Sequence, residues 1–122
     1  MSFRTWDLES AKNFYGSFER WFHHRGYMLT IYGSVFTSTR PRDLDLLLIP
    51  WRPAMPPVVT FDEFCLLFRK TVVGTPYEGI MNSWSNQCVD EDGRVIDMQF
   101  RKTDMTMPTA AASSAPSASP RD

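Results

Sequence analysis

The fold of this chain of 122 residues follows from two stretches, Tyr32-Gly33-Ser34 and, nine residues after the serine, Asp43-Leu44-Asp45-Leu46-Leu47-Leu48. A Gly-Ser pair after an apolar segment is typical of a tight turn that leaves a strand. The Asp-Leu-Asp segment then opens a second apolar strand. We therefore expect two strands that are joined through a glycine turn.

The two aspartates of this second strand should point to the same face of the sheet. Side chains alternate along a strand, so Asp43 and Asp45 share one face while Leu44 points into the core. Carboxylates about 7 Å apart along a strand repel each other unless a cation lies between them. The pattern predicts a divalent-metal site beside a phosphate-binding turn, and a solvated strand end is the alternative interpretation.

This arrangement resembles the nucleotidyltransferase superfamily, the DNA polymerase beta-like proteins. That family carries an apolar residue and Gly-Ser, an Asp-apolar-Asp strand about ten residues later, and a third carboxylate on a neighbouring strand. The matching third residue here is Asp97, in the segment from Arg94 to Phe100. The resemblance covers about residues 5–101 and implies a minimal, stand-alone nucleotidyltransferase domain.

The resemblance implies a metal-dependent transfer of a nucleoside monophosphate from a nucleoside triphosphate to a hydroxyl group. Asp43 and Asp45 would bind two Mg²⁺ ions, with Mn²⁺ as an alternative, and Asp97 would bind the ion that activates the acceptor hydroxyl. Carboxylates are the hard oxygen ligands that Mg²⁺ prefers. For Asp97, a polar position on the exposed face of an edge strand is the competing interpretation.

Four further residues are implied to bind the triphosphate: Gly33, Ser34, Arg40 and Arg42. A glycine turn lets backbone amides approach phosphates, and arginine forms paired hydrogen bonds with phosphate oxygens. An ordinary strand-to-helix turn and solvated loop charges are the alternatives. Many family members carry Arg or Lys nearer to the serine, where this chain has Val35-Phe36-Thr37.

The hydrophobic pattern predicts an α+β fold, a small mixed β-sheet with helices packed on it. We expect a helix over residues 5–25 that ends at Gly26, and a second helix opened by a capping box from Thr60 to Glu63. A break is expected at Gly74-Thr75-Pro76. The predicted strands cover residues 27–32, 43–49, 83–89 and 95–100, the last two forming a hairpin. Residues 1–102 are predicted to be the domain and residues 103–122, rich in Ala, Ser, Thr and Pro, a disordered tail.

Composition limits the classes of partner. The 13 basic and 14 acidic residues give a net charge of -1, and the tail accounts for it. A neutral domain argues against a dedicated nucleic-acid-binding protein. Cys65 and Cys88 lie in apolar surroundings and predict reduced, buried thiols. With no signal peptide or membrane-spanning run, we expect a cytoplasmic protein that does not bind membranes.

Three functions are compatible with these patterns. The first is an active nucleotidyltransferase whose acceptor is a protein, an RNA or a small molecule, with a partner protein or a homo-oligomer completing the acceptor site. The second is a catalytically silent module of the same fold that binds a nucleotide or a partner, for example in a toxin–antitoxin or phage-related system. The third is a regulator that docks through exposed aromatic residues.

Overall fold

The computed structural model describes residues 5–33 and 42–102. These residues form two helices and five strands in the order α1 (Leu8–His24), β1 (Tyr27–Tyr32), β2 (Asp43–Pro50), α2 (Pro57–Leu67), β3 (Thr71–Gly79), β4 (Ser83–Val89) and β5 (Val95–Arg101). The strands make one mixed sheet on which both helices pack. The predicted α+β fold class is confirmed.

Helix α1 begins at Leu8 because Asp7 caps it. The Ser10 backbone N–H donates to Asp7 Oδ1 at 2.7 Å, and the Asp7 N–H donates to Ser10 Oγ at 2.9 Å. This reciprocal capping box satisfies amides that the first helical turn leaves unpaired. Gly26, with φ of +94°, follows the helix and turns the chain into β1, as the sequence predicted.

The sheet has the strand order β1-β2-β5-β4-β3. Strands β2 and β5 pair in parallel, whereas β1–β2, β4–β5 and β3–β4 pair antiparallel. The predicted strands at residues 27–32 and 43–49 are confirmed, and so is the hairpin of β4 and β5. Strand β2 is flanked on both sides, which fits its nearly continuous run of apolar residues.

Both helices cover the same face of the sheet. Alternate residues of β2 and β5 are fully buried against them, namely Leu44, Leu46, Leu48, Ile96, Met98 and Phe100. Phe64 of α2 lies at the centre of an aromatic cluster with Phe14, Phe18, Phe22 and Phe68. Because strand side chains alternate, Asp43, Asp45 and Asp97 belong to the opposite face.

The start of α2 differs from the predicted capping box. The helix begins at Pro57, three residues before Thr60, and no side chain caps it. Proline is favourable at the first helical position because its missing N–H would have no partner there. Thr60 is buried inside the helix, and Glu63 forms an ion pair with Arg25 at 3.0 Å. Because the Glu63 side chain binds Arg25, it does not form the predicted capping box with Thr60.

Strand β3 was not predicted, because Gly74-Thr75-Pro76 indicated a break. In the structure these residues form an irregularity in the pairing with β4, between Val73 and Tyr77, and the strand continues on either side. Edge strands tolerate glycine, proline and bulges because one side of their backbone has no partner strand.

Across the described residues, no helix is long and apolar enough to cross a membrane.

We predict that Phe64→Ala lowers the free energy of unfolding by about 3–5 kcal/mol, since it leaves a cavity in the aromatic cluster. Leu66→Ala, two residues away on the same helix, should change it by less than about 0.5 kcal/mol because Leu66 is 80% exposed. Urea unfolding of both variants measures the difference. Similar losses for the two would show that this cluster does not hold α2 on the sheet.

Candidate functional site

The three predicted metal ligands lie on one face of two neighbouring strands. In the parallel register of β2 and β5, Asp45 pairs with Asp97 and Asp43 pairs with Val95. Neighbouring strands are about 4.8 Å apart, so Asp45 and Asp97 start from adjacent backbone positions. We call the face that carries Tyr32, Asp43, Asp45, Asp97 and Gln99 the aspartate face.

Asp97 is partly buried on this face and has a hydrogen-bond partner on β3. One oxygen, Oδ1, accepts a hydrogen bond from the Tyr77 hydroxyl. Burial raises the pKa of Asp97 and the negative charge of Asp43 adds to the rise, while hydrogen bonds from Tyr77 and Gln87 oppose it without cancelling it. Among these causes, the charge of Asp43 has the smallest effect on the pKa of Asp97.

Two tyrosines approach these aspartates from opposite edges of the sheet. Tyr32 extends from β1, and its hydroxyl accepts a hydrogen bond from Nε2 of Gln99 on β5. Burial and the charges of Asp45 and Asp97 raise the pKa of Tyr32 to about 12. Tyr77 extends from β3, and burial and the hydrogen bond to Asp97 raise its pKa above the ordinary value. Both hydroxyls therefore stay protonated at neutral pH.

Sequence reasoning missed Tyr77 altogether and gave Tyr32 and Gln99 no role in the site. Tyr77 lies in the strand that the sequence pattern did not reveal, so no local signal identified it. Gln99 shares the Asp97 face by simple alternation, and its Oε1 accepts a hydrogen bond from the Ile80 N–H at 2.9 Å. Gln99 thereby ties β5 to the turn after β3 as well as to Tyr32 of β1.

Gly33 lies directly against Asp45. Its φ is +85°, in the region that favours glycine, and a Cβ at this position would lie 2.6 Å from Asp45 Oδ2. Tyr32 pairs with Asp45 in the sheet, so Gly33 follows β1 beside this carboxylate. The structure thus places Gly33 next to Asp45.

The structure gives less information about the other three residues that were predicted to bind phosphate. Arg42 is exposed and immediately precedes Asp43 at the start of β2. Ser34 and Arg40 lie outside the described residues, as do the residues of the predicted tail. Binding of a triphosphate by these residues, and by Gly33, stays a prediction.

The carboxylate oxygens of Asp43, Asp45 and Asp97 suit a hard divalent cation. In the structure, however, the three side chains are not arranged to bind one. Within residues 5–33 and 42–102, no three acidic, histidine or cysteine side chains form a group that could hold a metal ion. Asp43, Asp45 and Asp97 would supply carboxylate oxygens, which Mg²⁺ and Mn²⁺ prefer. The hydrogen bond from Tyr77 already uses one of the Asp97 lone pairs that such an ion would need.

No protein-family model matches this chain, and no curated protein matches it significantly. The nucleotidyltransferase resemblance therefore rests on the sequence motifs of this chain alone and stays a prediction.

We predict that Gly33→Ala destabilises the protein more than Gly74→Ala does. Gly74 also has a positive φ, of +73°, but a Cβ there would meet no atom within 4 Å. Both variants should lose about 1–2 kcal/mol of unfolding free energy from the backbone conformation, and Gly33→Ala should lose more because Asp45 must move. Urea unfolding measures both losses, and equal values would show that Asp45 shifts without cost.

We also predict that Asp97→Asn stabilises the protein at pH 7. Because the folded state raises the pKa of Asp97, stability falls as pH rises from the ordinary value of 3.8 through the folded value. An asparagine removes this loss, and its oxygen can still accept the Tyr77 hydrogen bond. The melting temperature of the variant should exceed that of the wild type at pH 7 and approach it below about pH 4.

Glu91→Gln provides a control of opposite sign for this pH dependence. The pKa of Glu91 is lowered by its own backbone N–H and by Lys70, so its stabilising effect is present at neutral pH and lost on acidification. This variant should therefore melt at or slightly below the wild-type temperature at pH 7. A melting temperature of Asp97→Asn below that of the wild type at pH 7 would show that the charge of Asp97 does not destabilise the folded state.

Proposed function

We propose that this protein is a divalent-metal-dependent nucleotidyltransferase whose cation site is formed by Asp43, Asp45 and Asp97. The observation that carries the proposal is the parallel pairing of β2 with β5, which sets Asp97 beside Asp45 on the face that Asp43 also occupies. Carboxylates that repel one another at such close quarters favour a bound cation. Burial raises the pKa of Asp97 and the charge of Asp43 adds a smaller rise, in the direction that this argument expects.

The chain's own residues would act mainly by positioning and by charge. Asp43 and Asp45 would hold the cations against the sheet, and Asp97 would complete the ligand set on the acceptor side. Gly33 lies against Asp45, where a side chain would collide with Asp45 Oδ2. When bound, Mg²⁺ or Mn²⁺ supplies charge that stabilises the attacking and leaving oxygens of a phosphoryl group.

The substrate we propose is a nucleoside triphosphate, and the acceptor is a hydroxyl group on a protein, an RNA or a small molecule. The described domain has two helices and one sheet, so we propose that a partner protein or a second copy completes the acceptor site. Cys65 and Cys88 are buried free thiols, which supports a reducing compartment such as the cytoplasm.

A second candidate function is a catalytically silent module that binds a nucleotide or a partner. Two observations favour it: Asp97 accepts a hydrogen bond from Tyr77, and within the described residues no three acidic, histidine or cysteine side chains form a group that could hold a metal ion. Such a module would bind a ligand on the aspartate face but would not release pyrophosphate from any triphosphate.

We predict that Asp43→Ala/Asp45→Ala abolishes Mg²⁺-dependent binding of a non-hydrolysable nucleoside triphosphate. The affinity should fall by more than about 100-fold, since even mutation of residues that only hydrogen-bond to metal ligands lowers metal affinity by about 10–100-fold. Isothermal titration with each of the four triphosphates measures the effect. In the absence of cation, the double variant should melt at or above the wild-type temperature because repulsion is relieved.

Asp62→Ala is the matched control for this titration. Asp62 is an exposed aspartate of α2, on the other side of the sheet, and its removal changes the net charge without touching the aspartate face. It should bind the triphosphate as the wild type does. Unchanged binding in the double variant would contradict the assignment of Asp43 and Asp45, and binding without pyrophosphate release would favour the silent module.

A further inference from the structure

The two edges of the sheet are protected unequally against the addition of a further strand. Strand β3, at one edge, contains Gly74 and Pro76 and has an irregular pairing with β4, and such features hinder the pairing of another strand. Strand β1, at the other edge, is a regular run of six residues with no charged residue and no proline. Of the described strands, only β2 pairs with β1. This edge is therefore a template for an added strand.

The outward backbone groups of β1 belong to Leu29 and Ile31. The Trp51 N–H donates to the carbonyl oxygen of Gly26 at 3.0 Å, so this pair and every second pair after it exchange hydrogen bonds between β1 and β2. The even-numbered residues of β1 thus direct their N–H and C=O groups toward β2. The odd-numbered residues direct theirs away from β2, toward the open edge, where an extended segment can bind them.

An apolar groove of about 420 Å³ lies between α1 and this edge of the sheet. Its lining residues are Leu8, Ala11, Lys12, Tyr15, Gly16 and Ile31. The side chains of Leu8 and Tyr15 are 49% and 41% exposed. Exposed apolar side chains that adjoin an open strand edge form a surface suited to a protein partner.

Gly16 is a residue of this groove whose type its own chain does not explain. Glycine in the interior of a helix is destabilising relative to alanine. The φ of Gly16 is not positive, and a Cβ at this position would meet no atom within 4 Å. No contact among the described residues therefore requires glycine here. The missing side chain allows the backbone of a second helix to approach closely, because the distance between helix axes depends on the side chains at the contact.

The charges beside the groove fit a second copy of the same helix. Lys12, Tyr15, Gly16 and Glu19 lie on one side of α1, since residues three and four apart are neighbours on a helix. When two such helices pack antiparallel about a two-fold axis near Gly16, Lys12 of each copy lies opposite Glu19 of the other. Neither side chain forms an ion pair within the part of the chain that the structure describes. The surface is thus complementary in charge to itself.

We propose that this protein forms a two-fold dimer in which the β1 strands pair antiparallel and the α1 helices pack against each other. Because Tyr15 and Gly16 line the groove together with Ile31, the axis lies near this end of β1. The register that fits pairs Leu29 of each copy with Ile31 of the other and sets the two Thr30 residues opposite each other in a non-hydrogen-bonded pair. The two five-stranded sheets then join, with the helices of both copies on one face. This inference goes beyond the proposed function and does not depend on it, since none of the three aspartates takes part.

The first test is sedimentation equilibrium of the full chain from micromolar to millimolar concentrations. The wild type should form dimers. Lys12→Glu brings like charges together at both symmetric contacts, so its dimer should dissociate on the order of tenfold more readily. Lys12→Glu/Glu19→Lys exchanges the two charges and should restore the wild-type dissociation constant. This rescue separates a contact between copies from a role within one copy.

Lys102→Glu is the matched control for Lys12→Glu. It makes the same change in charge at another exposed lysine, which follows β5 in the middle of the sheet. Its dimer should dissociate as the wild type does. Thermal melting of each variant checks that it folds.

A cross-linking test addresses the strand pairing. Cα atoms of a non-hydrogen-bonded antiparallel pair lie about 4.5 Å apart, a distance that a disulfide can span. Thr30→Cys should therefore form a covalent dimer when oxidised glutathione is added. Thr75→Cys, on the exposed edge strand β3, should form much less of it. Cys65 and Cys88 are buried, so they do not interfere.

Each outcome decides for or against the dimer. A wild type that stays monomeric throughout this range overturns the proposal, also when its β1 edge binds an extended peptide of another protein. Dimerisation that Lys12→Glu does not weaken overturns it too, as does equal cross-linking of Thr30→Cys and Thr75→Cys. A dimer that is weakened by Lys12→Glu, restored by the double variant and cross-linked through residue 30 supports it. Failure of nucleotide binding would leave all of these results unchanged.

Discussion

The parallel pairing of β2 with β5 is the constraint on which the rest of this structure depends. It joins two strands that are separated by a helix and two further strands along the chain. The pairing buries the alternate apolar residues of both strands under the two helices. The same register brings Asp45 beside Asp97 on the other face, so the core and the candidate site are two consequences of one set of backbone hydrogen bonds.

The aspartate face combines groups that oppose one another electrostatically. Burial and, less strongly, the charge of Asp43 raise the pKa of Asp97, while hydrogen bonding by Tyr77 and Gln87 lowers it. Burial and the charges of Asp45 and Asp97 in turn raise the pKa of the Tyr32 hydroxyl. A polar cluster of this kind costs stability unless each charge finds a partner, and strongly perturbed groups of this kind concentrate at functional sites.

The sequence predicted the fold class, both strands of the β4–β5 hairpin and the strands around the glycine turn, because each has a local signal. The predicted start of α2 was wrong. Glu63 forms an ion pair with Arg25, the residue that follows α1, and does not cap the helix. The sequence pattern missed β3, because glycine and proline indicate a break unless the strand lies at an edge. Whether a strand lies at an edge depends on the whole sheet.

For the candidate site, the sequence by itself determined that Asp43 and Asp45 share a face, since alternation along one strand is a local property. It also determined that Gly33, which can adopt backbone conformations closed to other residues, lies earlier in the chain than these aspartates. The tertiary structure decided that Gly33 lies against Asp45, that Asp97 lies beside Asp45, and that Tyr77 crosses β4 to reach Asp97. These contacts join residues far apart in the chain, and strand order and register, which no local pattern encodes, bring them together.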